Sequence, residues 1–328
     1  MEELLGISPM SISPFKGKIP RALEEIVLEY RLKARYADQK CLILESPIPN
    51  RYLKYVVDPG THEPLDKWLQ SVVLRGLRNQ YVVSDMPGVQ KVFSAEFYQQ
   101  IPGLFELEFV GGTPLSAYTE SDSALRLTPE EIEFVGLSTY GTVSTINDRG
   151  IAHRDVKPGN IVLLTPYMAT KLIDWSLAAD VQEHRAEVES GRVLGTPTHY
   201  LMTNDLFGVR DRYGLGLTLL QAAASTDERR AFDKAFEETN PISLNGKTRE
   251  WIDHTLKRVQ NNIPGGLYEL MDALLHPEQH EEVVFFDYQR FAKGYTGLAA
   301  IQDKVATRYA LPPGHEKRKN LREIVGVA

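Results

Sequence analysis

A single cysteine, Cys41, stands in a chain of 328 residues, so no disulfide can form within it. That usage fits a reducing compartment, and the expected location is cytoplasmic. Cys41 itself reads as a small buried hydrophobe. No apolar run approaches the ~20 residues that a membrane-spanning helix needs. The opening MEELLGISPM is acidic and lacks the basic-then-apolar order of a secretion signal. There is no internal repeat and no low-complexity tract. Basic residues are outnumbered, 37 Lys and Arg against 44 Asp and Glu, for a net charge of −7, which argues against a general nucleic-acid binder. Glycine is missing from residues 18 to 58, and no G-x-G-x-x-G run occurs before Gly111, which excludes a glycine-rich phosphate loop of that form there.

What remains is ordinary for a globular chain, 42% hydrophobic and 25% charged, and long enough for one two-lobed domain or two domains. Its densest chemistry lies between Ile151 and Trp175. His153, Arg154, Asp155, Lys157 and Asn160 form a polar run, followed by the apolar Ile161-Val162-Leu163-Leu164. A second apolar run, Leu172-Ile173, delivers Asp174. Two short β-like runs around Thr165-Pro166 predict a hairpin, which would bring Asp155, Asn160 and Asp174 to one end of a small sheet. Two carboxylates and an amide there suit a hard cation such as Mg²⁺, which wants oxygen ligands and takes few of them from protein.

HRDVKPGN resembles the catalytic loop of the eukaryotic-type Ser/Thr protein kinase superfamily, H-R-D-x-K-x-x-N, and Asp174, nineteen residues after Asp155, stands where that family has the aspartate of D-F-G. Lys157, two places after Asp155, is similar to the Ser/Thr-directed form of the loop. The resemblance runs from about residue 104 to 280. It implies an α+β, two-lobed protein-kinase-like fold with a divergent, small, β-rich N-lobe and a larger, mainly helical C-lobe. It implies ATP and Mg²⁺ as cofactors and a protein substrate. By the resemblance Asp155 accepts the proton of the attacking hydroxyl or orients it, Lys157 neutralises charge on the transferred phosphoryl group, and Asn160 and Asp174 hold the Mg²⁺ ions. His153 is then structural.

Upstream, Leu23, Ile26, Val27, Tyr30 and Ala34 recur at helical spacing after Pro20, which predicts an amphipathic helix in RALEEIVLEYRLKARY. CLILE and RYLKYVV read as strands on either side of SPIPN. Lys54, in the second, is placed by spacing as the lysine on the α- and β-phosphates; an exposed strand lysine is the equal alternative. PLDKWLQSVVLRGLRN predicts the helix that should supply its glutamate. Gln70 stands at the expected distance, and Glu63 lies before the helix. Glutamine can hydrogen-bond the lysine but cannot pair its charge. VQKVFSAEF and LFELEFV read as further strands, and FELEFVGGTPL resembles the stretch joining the lobes, where backbone groups near Glu108 and Val110 would bind adenine.

Thr128-Pro129-Glu130-Glu131 predicts the start of a long helix that ends at Arg149-Gly150. Trp175 and Ser176 replace the family's Phe and Gly. Leu177 to Gly195 matches the activation segment, with Ser190, Thr196 and Thr198 as candidate phosphosites; the alternative is that Glu187 or Glu189 pairs with Arg154 instead. GTPTHY resembles the substrate-docking loop, in which Thr196 would hydrogen-bond Asp155 and Lys157. Asp211 would anchor the backbone of the His153-Arg154 turn. The A-P-E motif is absent at Leu201-Met202-Thr203-Asn204, and so is the arginine that the family pairs with it. Loss of one partner would strand a buried charge at about 3–5 kcal/mol, so loss of both is coherent.

The expected organisation is an arm and helix over 1–40, a divergent N-lobe over 41–108, a C-lobe over 109–280 and a helical extension over 281–328. The N-terminal helix reads first as packing on the rest of the domain; the alternative is a partner protein docking on the N-terminal or the C-terminal extension. The basic stretch HEKRKNLREIVG reads as a solvated tail. The expected activity is phosphoryl transfer from ATP to Ser/Thr hydroxyls; the alternative is a pseudokinase serving as a nucleotide-binding or scaffold module.

Overall fold

The computed structural model describes residues 13–14, 34–37, 41–46, 48–56, 67–94, 104–120, 123, 125–164, 169–190, 207–237 and 241–276. The helix body expected over 21–33, Glu63, the GTPTHY loop with Thr196 and Thr198, residues 201–204 and the extension after 280 lie outside them, as do the side chains of Cys41 and Gln70.

The chain has the expected α+β, two-lobed architecture. The small lobe is built on an antiparallel sheet. Its strands are β1 (Ser13–Pro14), β2 (Ala34–Ala37), β3 (Cys41–Glu45), β4 (Arg51–Val56), β5 (Val92–Ser94) and β6 (Leu104–Glu108), in the order β1-β2-β3-β4-β6-β5. The β3–β4 turn closes through Asn50, which takes φ +60°, a conformation asparagine tolerates better than most residues. Ala34 to Ala37 are strand, not the last turn of the helix expected there. Pairing of Tyr36 with Ile43 and of Ala37 with Leu42 decides the matter over local helical spacing. Helix α1 (Lys67–Val83) lies between β4 and β5 in sequence and packs Val73 and Leu77 on Phe105 and Leu107 of β6.

The large lobe follows from β7 (Thr113–Pro114) and the short α2 (Ser116–Thr119). Helix α3 (Pro129–Asp148) starts where Thr128 predicts. The Thr128 hydroxyl accepts from the Glu131 N–H, and the Glu131 carboxylate accepts from the Thr128 N–H, so two otherwise orphaned donors are satisfied. After α3 come β8 (Ile151–Ala152), a 3₁₀ turn at Pro158–Asn160, β9 (Ile161–Leu164), β10 (Ala169–Leu172), β11 (Ala179–Asp180) and α4 (Val181–Glu189). Helices α5 (Val209–Ala223), α6 (Thr226–Glu237), α7 (Pro241–Val259) and α8 (Gly265–Leu275) complete the described residues.

β9 and β10 form the expected hairpin, with Ile161 opposite Leu172. The main core joins α3, α5, α7 and α8 to this hairpin through residues such as Phe134, Leu137, Leu163, Leu215, Leu219 and Leu270. The polar loop 153–160 and the turn at 174–176 are therefore held at one edge of a large apolar core. The lobes are tied there as well: the Gln90 N–H donates to the Leu172 carbonyl, and the Leu172 N–H to that of Gly88. No helix among the described residues is long and apolar enough to cross a membrane.

Candidate active site

The turn at His153 to Asp155 is fixed from below. Asp211, fully buried near the start of α5, accepts the His153 N–H at 2.7 Å, the Arg154 N–H at 2.6 Å and an Asn147 amide hydrogen at 3.2 Å. These contacts hold Arg154 at φ +68°, a strained position for a residue with a Cβ. This is the anchoring role expected of Asp211. His153 adds a second set. Its Nδ1 lies 3.3 Å from the Asp155 N–H and must be the acceptor, so Nε2 carries the proton and donates to the Ile173 carbonyl at 3.0 Å. The neutral ring thereby links the Asp155 loop to the strand end that presents Asp174.

Asp155, Lys157 and Asn160 converge. Asp155 Oδ2 accepts from Asn160 Nδ2 at 2.9 Å and lies 2.8 Å from Lys157 Nζ. The Asn160 amide nitrogen also donates to the Asp155 carbonyl at 2.9 Å. Both partners are pure acceptors, so the orientation of the amide is fixed and its Oδ1 is used in neither bond.

Asp174 sits opposite at φ +58° with its side chain 37% exposed, and it accepts from Lys54 Nζ at 3.1 Å and from the Ser176 hydroxyl at 3.0 Å. Burial pushes its carboxyl up, but the Lys54 ammonium, the hydrogen bonds from Lys54 and Ser176, and the charge of Lys157 together outweigh burial and hold it well below the usual range. The carboxylate is thus anionic across the neutral range, as a cation ligand must be. Among the described residues no three His, Cys, Asp or Glu side chains converge as a metal site. An ion bound by Asp174 and Asn160 would complete its shell from phosphate and water, as Mg²⁺ commonly does. The residues present fit that ion.

The replacement of D-F-G by Asp174-Trp175-Ser176 has a physical account. The left-handed backbone falls on Asp174 and not on Ser176, so glycine is not required at 176. Trp175 is 2% exposed, donates its indole N–H to the Leu172 carbonyl at 3.1 Å and meets His153 edge-on at 4.7 Å.

Lys54 is half-buried and turned into the cleft, not an exposed strand lysine. Its cleft is lined by Val73, Leu77, Phe105, Leu107, Asp174 and Ser176, with Gln80 and Gln90 at one side. Helix α1 contains no Asp or Glu at any position, and among the described residues Lys54 pairs with Asp174 of the large lobe. At the expected hinge, the Glu108 carboxylate takes Lys171 Nζ at 2.5 Å and the Lys91 N–H at 3.1 Å. The Glu108 carbonyl accepts from Gln90 Nε2 at 3.0 Å, and Val110 is buried beside it. Gln90, Asn147 and Gly76 went unremarked in the sequence. Gln90 meets Tyr52 and Glu108, Asn147 meets Asp211 and Gly76 faces the Trp175 carbonyl; these partners are distant in the chain, and no short motif contains them.

The family model described as protein kinase domain matches residues 90–282, more than half of the chain. The chain belongs to the protein kinase family. It is 29% identical over 124 residues to the serine/threonine-protein kinase Pkn1 of Myxococcus xanthus, covering 35% of this chain and 17% of that protein. It is 29% identical over 178 residues to the serine/threonine-protein kinase PknD of Chlamydia pneumoniae, covering 45% and 19%. It is 33% identical over 128 residues to a cysteine-rich receptor-like protein kinase, number 24, of Arabidopsis thaliana, covering 38% and 18%. The match thus spans less than a fifth of the length of these relatives.

Proposed function

We propose that this chain transfers the terminal phosphoryl group of ATP, with Mg²⁺, to Ser/Thr hydroxyls of a protein substrate. One observation carries the reading: Asp155, Lys157 and Asn160 meet within hydrogen-bond distance, and bonds from Ile173 to Asn160 and His153 hold beside them the strand end whose Asp174 pairs with Lys54. Phosphoryl transfer spreads negative charge over the equatorial oxygens, and positioned positive charge supplies most of the catalysis. Asp155 orients the attacking hydroxyl and takes its proton. Lys157 stands beside it to meet the charge of the transferred group. Asn160 Oδ1 and the Asp174 carboxylate are the Mg²⁺ ligands, and bound Mg²⁺ supplies neutralising charge at the phosphate oxygens. Lys54 reaches the α- and β-phosphates from the small lobe, and the backbone of Glu108 and Val110 receives the adenine. Thr196, outside the described residues, is assigned to the substrate side of Asp155.

The second reading is a pseudokinase that binds nucleotide or serves as a scaffold without transfer. It is favoured by the absence of an acid in α1 to pair with Lys54 and by the hydrogen bond that Gln90 makes to the Glu108 carbonyl. Transfer of labelled phosphate from ATP to a generic protein or to the chain itself separates the two, with Asp155→Ala and Asp174→Ala as controls. Transfer lost in both variants supports the kinase; transfer equal in all three comes from a contaminant. Thermal stabilisation by Mg-ATP without transfer identifies the scaffold. The reading retains a cytoplasmic setting, partner docking on the terminal extensions, and the division at residues 40, 108 and 280, with the 34–37 strand sharing the small-lobe sheet.

A further inference from the structure

We propose that Glu187 is a positioning residue for the catalytic loop, a built-in carboxylate that holds Arg154 and α1 together with no phosphate on the activation segment. The Arg154 side chain is 2% exposed, and its ion-pair partner among the described residues is Glu187. The other oxygen of the Glu187 carboxylate takes the guanidinium of Arg75 on α1. One carboxylate therefore joins the residue beside Asp155 to the helix that packs on the Asp174 turn.

The position of Glu187 is fixed independently of that contact. β11 pairs with β8, the strand that leads into the catalytic turn, with Ala179 opposite Ala152. α4 begins directly after β11 in a reciprocal cap: Asp180 accepts from the Glu183 N–H at 2.9 Å, and Glu183 accepts from the Asp180 N–H at 2.9 Å. Glu183 also accepts from Asn79 of α1 at 2.9 Å and pairs with Arg78. Two turns of helix then carry Glu187 to Arg154.

The charge balance makes the carboxylate necessary. Burial lowers the pKa of Arg154, the nearby Arg210 and Arg75 lower it further, and Glu187 acts against them. Arg154 Nε and Nη1 find no hydrogen-bond acceptor among the described residues. Without Glu187 a buried guanidinium would face other cations, an arrangement far costlier than a paired charge. A phosphate on Ser190 is a poor substitute. Ser190 is the exposed C-terminal cap of α4, where a dianion would meet the negative end of the helix dipole and the adjacent Glu187 and Glu189.

The test uses the full chain and rests on the kinase reading in its kinetic arm only. Glu187→Gln is expected to lower kcat about tenfold or more with KM for ATP within about twofold, since one charge-assisted contact is lost away from the nucleotide. Glu187→Asp, which keeps the charge with a shorter reach, should recover part of kcat. Wild type stripped by a phosphatase should keep its rate. An unchanged or raised rate in Glu187→Gln, or a rate abolished by the phosphatase, overturns the proposal. Should wild type transfer no phosphate, the kinase reading fails separately and hydrogen exchange decides. Faster exchange at both 151–156 and 181–190 in Glu187→Gln supports the clasp, and unchanged exchange at 151–156 overturns it. If Glu187→Gln does not fold, Glu187→Asp carries both arms.

Discussion

Asp211 holds Arg154 by its backbone: the carboxylate oxygen lies 2.6 Å from the Arg154 N–H, in a wholly buried site, and the residue it holds sits at φ +68°. The other oxygen takes His153 at 2.7 Å. The His153–Arg154 turn thus depends on two acceptors at one position. Asp211→Asn keeps the volume but exchanges one acceptor for a donor, so one N–H of the turn faces an NH₂ group. The expected loss is about 2–4 kcal/mol, from one charge-assisted bond broken and one donor left buried. Chemical denaturation measures it, and the thermal shift given by Mg-ATP should fall with it because Asp155 is carried by the same turn.

Lys54 and Asp174 make a prediction in pH. The folded-state pKa of Asp174 is depressed, so in wild type the pair's contribution is present above the unfolded value near 3.8 and is lost as pH falls below it. Lys54→Met removes the main force holding the carboxyl down and leaves the Ser176 hydrogen bond and the Lys157 charge to act against burial. The depression is then smaller, and so is the stability lost as pH falls through the acidic range. Urea titrations from pH 3 to 6 on both proteins read the slopes, and parallel slopes would show that Lys54 does not govern this carboxylate. The same variant should lose most of its stabilisation by Mg-ATP.

How much of this was legible in the sequence depends on how far apart the partners lie. The hairpin 161–172, the Thr128 cap and the convergence of Asp155 with Asn160 are local, and spacing alone predicts them. Asp211 was reachable because the helix around it resembles a known one. The acid-free face of α1 was also readable, since Gln70 stands where a glutamate is expected. What Lys54 pairs with instead was not, because Asp174 lies 120 residues away and only the folded lobes bring them together. The strand at 34–37 was missed for the same reason: its partner strand, not its own pattern, decides it. Gly76 carries no local signal, and its role rests on one close approach between two elements distant in the chain.

Glu133 sits on α3 at 2% exposure, and its Oε1 has no hydrogen-bond partner among the described residues. Burial, reinforced by Glu130, pushes its carboxyl up to about 7 from an ordinary 4.5. Between those values the folded state binds more protons than the unfolded one, so stability falls as pH rises from about 4.5 to about 7 and the penalty is complete above that. Glu133→Gln removes the ionisation. It should match wild type near pH 4.5 and exceed it at pH 8, by on the order of 2 kcal/mol. Equal pH profiles for the two proteins would mean that the carboxylate is solvated.

Gly76 offers a test in which two physical effects have opposite signs. It lies within α1, where helix propensity alone would make Gly→Ala stabilising by about 1 kcal/mol. A Cβ at this position would stand 2.3 Å from the Trp175 carbonyl oxygen and 2.8 Å from the Ser176 carbonyl. Those are backbone atoms of the turn that presents Asp174, pinned by the buried Trp175, and they cannot yield as the end of a flexible side chain would. Gly76→Ala should therefore push α1 away from the turn and destabilise by about 1–3 kcal/mol, the usual cost of overpacking. The displacement should also loosen the Lys54–Asp174 contact, because α1 packs on the sheet that carries Lys54. A thermal melt gives the sign directly, and Mg-ATP stabilisation measured on the same samples reports the contact. A raised Tm would show that α1 stands off the Asp174 turn, leaving propensity as the effect that wins.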